Sequence, residues 1–373
     1  MSLDELRTRT SEKWVHYPAD VLPLWVAEMD VEQAEPVVRA VSDAVRRGDT
    51  GYHEGGGDYA DAFAAFADTR WDWTVDASTV RSVAAVMEGI AEVIRALTAP
   101  TGAVVVNTPV YPRFFDFVRH TGRVLVDSPL DEHGRLDFAD LDRAFALASS
   151  TGSAAFVLCH PHNPHGTLHS PDELRAVGEL AERHGVRVIS DEIHAALVLD
   201  GEFTSAVEVI PSAVALHSAS KAFNLAGLKA ALVVPGADAV ADVAALHPIV
   251  TNAASHLGAI AQATAFRHCG SWLDDVLVEL RANRSLLRTL LDERAPAIRW
   301  EPGAATYLAW LDLAATAPAV EGRSPVAAIL HRGRVALSPG EPFGALDHHH
   351  ARLNYATPAP ILTEAVERIA SAL

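Results

Sequence analysis

From about residue 100 to 235, short β-branched runs alternate with amphipathic stretches, a pattern that predicts a parallel sheet covered by helices. The runs are Ala103 to Val106, Arg123 to Val126, Ala154 to Leu158, Val186 to Ile189, Ala213 to Leu216 and Ala230 to Val234. Between two of them, Pro171 to His184 reads as a helix. Leu174, Val177, Leu180 and Ala181 share one face, Ser170 is placed to cap the first turn, and Gly185 to end the last. Upstream, Val86, Ile90, Val93, Ile94 and Leu97 fall at helical spacing and predict a helix over Val86 to Leu97. Past about residue 270 the pattern changes to a long helix (Trp272 to Glu293), a strand-like TYLAWLDL segment and a final helix after Pro360. The Ala-rich stretch Ala237 to Ala245 reads as helix-forming, and AATAPAVEGRSP as a surface loop. The organisation that follows is α/β: residues 1–46 as an N-terminal arm and part of a small domain, 47–268 as a large domain, and 269–373 as a smaller α+β domain.

Composition narrows the partners. A chain of 373 residues, 49% hydrophobic, can bury a full core. Its formal net charge of -18 argues against nucleic acid or an anionic membrane, which reward clustered Lys and Arg. The N-terminus lacks the apolar region of a secretory signal, and no apolar run approaches a bilayer span, so a cytoplasmic protein is expected. Cys159 and Cys269 stand far apart without CxxC spacing, which fits two reduced thiols rather than a disulfide or a zinc knuckle.

In a doubly wound sheet, ligands sit beyond the carboxyl ends of the strands, so the polar residues that follow each run carry the candidate chemistry. These are Asn107 to Tyr111, Cys159 to Gly166, Ser190 to His194 and His217 to Lys221. One rim thus receives an aromatic ring, an amide, a carboxylate and a lysine, the types a Schiff-base enzyme needs. Lys221 is the amine that attacks an aldehyde once it has lost its proton. Asp191 would hold a pyridine nitrogen protonated, so that the ring can stabilise a carbanion. Asn163 is placed to bond the cofactor's phenolic oxygen, and Tyr111 to stack on its face. For a phosphate, the sequence offers the backbone amides of Val86 and Met87, the hydroxyls of Ser218 and Ser220, and Lys229.

The strings LPLWVAEMDV, CHPHNPHGTL, VISDEIHAALV, HSASKAFNLAGLK and ARLNYATP resemble the class I/II aminotransferase superfamily, pyridoxal-5'-phosphate (PLP) fold type I. More narrowly, they are similar to its MalY/PatB branch of cystathionine β-lyases, or C–S lyases. The resemblance runs from about Leu22 to Pro358 and implies a homodimer with active sites at the interface and PLP on Lys221. It also implies that Arg352 meets the substrate's α-carboxylate, that Tyr52 reaches the phosphate of the partner's cofactor, that Trp25 borders the substrate and that His194 sits near the phenolic oxygen. The expected reaction is α,β-elimination of L-cystathionine or a cysteine S-conjugate, with transamination as the alternative on the same scaffold and a non-catalytic regulator as a more distant one. Glu88 stands beside the expected phosphate cradle, where a carboxylate must point away, and Lys229 stands where aminotransferases carry a phosphate-binding arginine.

Blander readings attach to several of these residues. Asp191 could be a helix N-cap, Tyr111 a core or turn aromatic, and Arg352 a surface ion pair. An S-x-x-K string also occurs in penicillin-binding acyltransferases, which additionally require S-D-N and K-T-G strings that this chain lacks. His160, His162, His165 and His169 with Cys159 follow no standard metal spacing, so no metal is expected. The run His348 to His350 reads as a solvated loop near Arg352.

Overall fold

The computed structural model describes residues 1–344 and 349–373. Seven strands form the central sheet: β1 (Arg81–Val83), β2 (Ala103–Val106), β3 (Val124–Asp127), β4 (Ala154–Cys159), β5 (Val186–Asp191), β6 (Val214–His217) and β7 (Ala231–Pro235). Their spatial order is β1-β7-β6-β5-β4-β2-β3, with β7 alone running against the other six. The six predicted runs are all strands here, displaced by a residue or two at their ends. β1 was not among them, because a strand of three residues is too short for a period to be read.

Helices cover both faces. In chain order the principal ones are α1 (Glu35–Arg46), α2 (Asp58–Trp71), α3 (Val86–Leu97), α4 (Arg113–His120), α5 (Phe138–Ser149), α6 (Pro171–His184), α7 (His256–His268), α8 (Gly270–Arg294) and α9 (Ala359–Ala372). The crossovers from β2 to β5 run through α4, α5 and α6, the connection that parallel strands require. Helix α6 carries the full set of end signals: Ser170 and Glu173 form a capping box, and Gly185 closes the helix at φ 66°. The sheet's pleat sorts its side chains between two apolar clusters. Ala155, Val157, Cys159 and Ile189 pack with Val86, Ile90, Val93 and Ile94 of α3, whereas Ala154, Phe156, Leu158, Val186 and Val188 face the other way.

A second sheet of β8 (Leu308–Asp312), β9 (Ser338–Pro339) and β10 (His350–Asn354) is antiparallel, in the order β9-β10-β8. Leu22–Pro23 pairs in parallel with Val335–Ala336, which brings the N-terminal segment alongside these strands. Two expectations are corrected. Residues 314–325 are not simply a surface loop: Ala317–Val320 is a helical turn with Pro318 and Ala319 buried, because proline at the start of the turn fits the helix and its ring packs inward. In the histidine run, His348 lies outside the described residues, but His350 opens β10 and stacks on Trp310, ring centroids 5.3 Å apart, instead of standing in a solvated loop.

The irregular segment after Leu24 is fixed by an ion pair at its end. Lys13 Nζ donates to Asp30 Oδ2 at 2.7 Å, with the two side chains only 1% and 3% exposed. Lys13 also donates to the Glu28 carbonyl at 3.0 Å, and Trp14 Nε1 to Asp30 Oδ1 at 3.2 Å. Burial lowers the Lys13 pKa, and Asp30 opposes that shift by attraction. Replacing Lys13 by Met strands a buried carboxylate and should cost about 3–5 kcal/mol of stability. The double variant K13M/D30L should recover most of this loss. Urea unfolding midpoints of the three proteins check the expectation, and equal midpoints for the single and double variants would contradict it.

Candidate active site

The carboxyl ends of β4, β5 and β6 lie side by side, with Cys159 in register with Asp191, and Asp191 in register with Leu216. The pleat therefore sends two consecutive carboxylates to opposite faces. Asp191 faces the α3 side and accepts a hydrogen bond from the Ile193 amide at 3.1 Å. Burial, with the negative charge of Glu192 behind it, raises its pKa to about 7 despite that bond and the attraction of Lys221. Glu192 points the other way and accepts from Ser205 Oγ at 2.7 Å and the Ala206 amide at 2.8 Å, with His217 Nε2 at 2.8 Å. Against the penalty of burial, His217 and these donors keep Glu192 below the ordinary carboxylate range. Phe63, Trp71 and Trp73 wall His217 in.

Lys221 follows β6 in a loop anchored by Ser218, whose Oγ lies 2.9 Å from both the Ala230 carbonyl and Gln262 Oε1. Its part-buried Nζ donates to the Ala27 carbonyl at 3.0 Å. Loss of hydration and the Arg352 charge bring the Lys221 pKa down to about 8, against the attraction of Glu28 and Asp191.

Arg352 stands on β10, opposite Trp310 on one side and Ser338 on the other. It is only 5% exposed. One guanidinium nitrogen donates to Asn163 Oδ1 at 3.1 Å and another to the Trp25 carbonyl at 3.0 Å, while the guanidinium carbon lies 5.0 Å from the Phe343 ring centroid. Among the described residues no carboxylate pairs with it, and Nε has no partner. Burial lowers its pKa to about 10, which still leaves it charged at neutral pH. A buried cation without an anion is costly, so this geometry is that of an anion site. The bond to Arg352 also orients Asn163: its amide oxygen is taken, which leaves the amino end to donate.

All three groups line one cavity of about 1440 Å³. Val86 and Met87 of α3 reach it, and Ala85, the residue before that helix, offers no side-chain cap to the first-turn amides. Glu88 also borders it but is exposed to solvent. Tyr111, Ser218, Ser220 and Lys229 line the same space, as do Trp25 and His194. Burial and the charges of Lys221 and Arg352 push His194 down to about 3, so it is neutral at pH 7. Tyr52 lies outside this lining and is fully exposed. His160, His162, His165 and His169 are also held below the ordinary imidazole range, mainly by burial. The described residues contain no group of three or more His, Cys, Asp or Glu placed to hold a metal ion.

Sequence reasoning passed over Tyr307, whose buried hydroxyl donates to the same Ala27 carbonyl at 3.0 Å and whose ring lies 6.2 Å from that of His194. It also missed Asn224, which bonds the backbone of Met29 through both ends of its amide, at 2.8 and 3.0 Å. Tyr307 opens a segment that reads only as a strand, and Asn224 follows the lysine without a spacing signal.

The sequence profile of the family described as aminotransferase class I and II matches residues 19–369. A provisionally named cystathionine β-lyase of Mycobacterium tuberculosis is 46% identical over 398 residues, covering 100% of this chain and 97% of its own. The cystathionine β-lyase of Corynebacterium glutamicum is 34% identical over 378 residues, covering 100% and 99%. Among solved structures, a provisionally assigned PLP-dependent β-cystathionase from Corynebacterium diphtheriae superposes with a TM-score of 0.93 at 32% identity, covering 100% of this chain and 98% of that one.

The lowered Lys221 pKa has a direct readout. The chain has three lysines, Lys13, Lys221 and Lys229, and the first is locked in its ion pair. In the ligand-free protein, the rate of reductive alkylation at Lys221 by a small aldehyde should climb about tenfold per pH unit below the pKa and flatten above it. Peptide mass spectrometry gives the profile, and a rate that keeps climbing well past pH 8 would show that the site leaves the amine unperturbed.

Proposed function

This chain belongs to the class I and II aminotransferase family, and on that premise we propose that it is a PLP-dependent carbon–sulfur β-lyase. Its substrate class is L-cystathionine or a related cysteine S-conjugate, and its products are pyruvate, ammonia and a thiol. The observation that carries the amino-acid chemistry is the meeting of Lys221, Asp191 and Arg352, from three distant stretches of sequence, on one cavity. The likeness to relatives named for lyase activity favours elimination over amino-group transfer.

The residues present fit the cofactor. Asp191 is a buried carboxylate to which no described residue bonds a cation, and a protonated ring nitrogen would supply one. Among the described residues no group accepts from the amino end of Asn163, which leaves it for the phenolic oxygen, and the part-buried Tyr111 borders the space where the ring would lie. The first-turn amides at Val86 and Met87, the hydroxyl of Ser220 and the exposed Lys229 offer a phosphate cradle. When bound, PLP supplies the electron sink through which a thiolate can leave the substrate's β-carbon.

The protein's own contributions follow from its geometry. Arg352 takes the substrate α-carboxylate in the fork it now turns toward Asn163 and Trp25, which fixes the α-carbon in the cavity. Lys221 Nζ, neutral in good part near pH 8, removes the α-proton as general base. Asp191 would hold the cofactor's ring nitrogen and, beside that cation, would stay ionised despite the burial that raises its pKa in the ligand-free chain. His194, neutral and buried, can donate from one ring nitrogen without adding charge.

We propose further that the chain acts as a homodimer in the cytoplasm. The full exposure of Tyr52, an aromatic residue lying outside this chain's cavity, supports a role for it in the partner's site. Among the described residues no helix is long and apolar enough to cross a membrane, and Cys159 and Cys269 are both free and buried.

Purified enzyme given L-cystathionine without any keto acid should release pyruvate and thiol. Release that depends on an added amino acceptor would instead make it a transaminase. Lys221→Ala should abolish the visible absorbance of the covalently held cofactor, and persistence of that band would remove Lys221 from its assigned role.

A further inference from the structure

Two of the arginines on the cavity wall differ sharply in exposure. Arg352 is buried, whereas Arg113, the first residue of α4, has 63% of its side chain exposed. One turn along, Asp116 pairs with it, the guanidinium NH1 lying 3.1 Å from Oδ2, and 56% of the Asp116 side chain is likewise open to solvent. Both residues border the cavity.

Helix stability does not explain the arginine. A cation in the first turn opposes the helix dipole, and a solvated pair at this spacing contributes little. The position is one where a charge serves a ligand at little cost to the fold. Tyr111 lines the same cavity as the two arginines and feels both: burial raises the pKa of its hydroxyl, and Arg352 and then Arg113 act against that rise. The cavity, at about 1440 Å³, also exceeds the roughly 300–1,000 Å³ typical of small-molecule sites, leaving space beyond a cofactor and one amino acid.

We propose that Arg113 and Asp116 form an outer amino-acid subsite, binding the carboxylate and ammonium at the far end of a substrate that carries an amino-acid group at each end. This rests on the β-lyase reading and names its preferred substrate class: bis-amino-acid thioethers such as L-cystathionine rather than short S-alkyl cysteines. The guanidinium fork matches a carboxylate, and Asp116 accepts from an ammonium. In the free protein the two side chains satisfy one another, and a zwitterionic substrate end replaces that single pair with two. A cysteine bearing only a methyl group on sulfur reaches Arg352 but presents nothing to the mouth.

The test compares kcat/KM for L-cystathionine and S-methyl-L-cysteine, by pyruvate release, in the wild-type holoenzyme and in Arg113→Ala, Arg113→Lys and Asp116→Asn. The ratio of the two values, long substrate over short, should fall about tenfold in R113A, chiefly through KM for cystathionine. It should fall in the same direction in D116N and be partly restored in R113K. An unchanged ratio, or equal losses on both substrates, would overturn the proposal. Should the wild-type enzyme release pyruvate from neither compound, the lyase reading is what fails. The subsite is then decided by spectral titration of the bound cofactor with the same two amino acids: the R113A substitution must shift their Kd ratio, and an unmoved ratio refutes the subsite.

Discussion

The site is held together by the backbone oxygens of one irregular segment. Residues 25–29 are neither helix nor strand, yet they pass through the interior, where every carbonyl needs a donor. Those donors include the candidate site residues Arg352 and Lys221. Arg352 bonds the carbonyl of Trp25; Asn354 those of Val26 and Glu28, each at 2.7 Å; Lys221 and Tyr307 both that of Ala27; and Asn224 that of Met29. The groups that would meet cofactor and substrate therefore come pre-positioned by contacts that also satisfy the segment. Arg352 and Lys221, which are drawn from β10 and from the loop after β6, are placed relative to one another through the carbonyls of residues 25 and 27.

Electrostatics complete what this scaffold begins. The strand pleat separates Asp191 from Glu192, so one carboxylate faces the cavity with its proton affinity raised while its neighbour is held ionised against His217 on the opposite face. Lys221 and Arg352 repel one another across the cavity, and that repulsion lowers the proton affinity of the amine. His194, kept neutral by burial and by the charges of Lys221 and Arg352, adds polarity to the wall without adding to this positive charge.

Much of this was legible in the chain because buried parallel strands are written as β-branched runs, and the fold puts chemistry at their carboxyl ends. The runs before Asn107, Cys159, Ser190 and His217 were enough to bring Tyr111, Asn163, Asp191 and Lys221 to one rim, and the resemblance added Arg352. What escaped has no periodic trace. Lys13 and Asp30 pair across 17 positions of irregular chain. Tyr307, the residue before β8, reads as an ordinary strand aromatic would. Within LPLWVAEMDV only Trp25 received a role, since a motif shows side chains, and here the main chain matters as much. Residues 314–325 read as a loop by composition, but Pro318 turns inward and starts a helical turn.

The same row of carbonyls limits how the gene can change. Substitution of the side chains at 26 and 27 leaves the peptide oxygens where they are, so these positions can vary in identity within the space available. A codon gained or lost between Leu22 and Asp30 is a different matter. It would slide each oxygen past its donor while the flanking pairings, Leu22 with Val335 and Asp30 with Lys13, stayed anchored. Loop segments ordinarily absorb such length changes. This one cannot, and its spacing is as much a part of the catalytic apparatus as any residue in it.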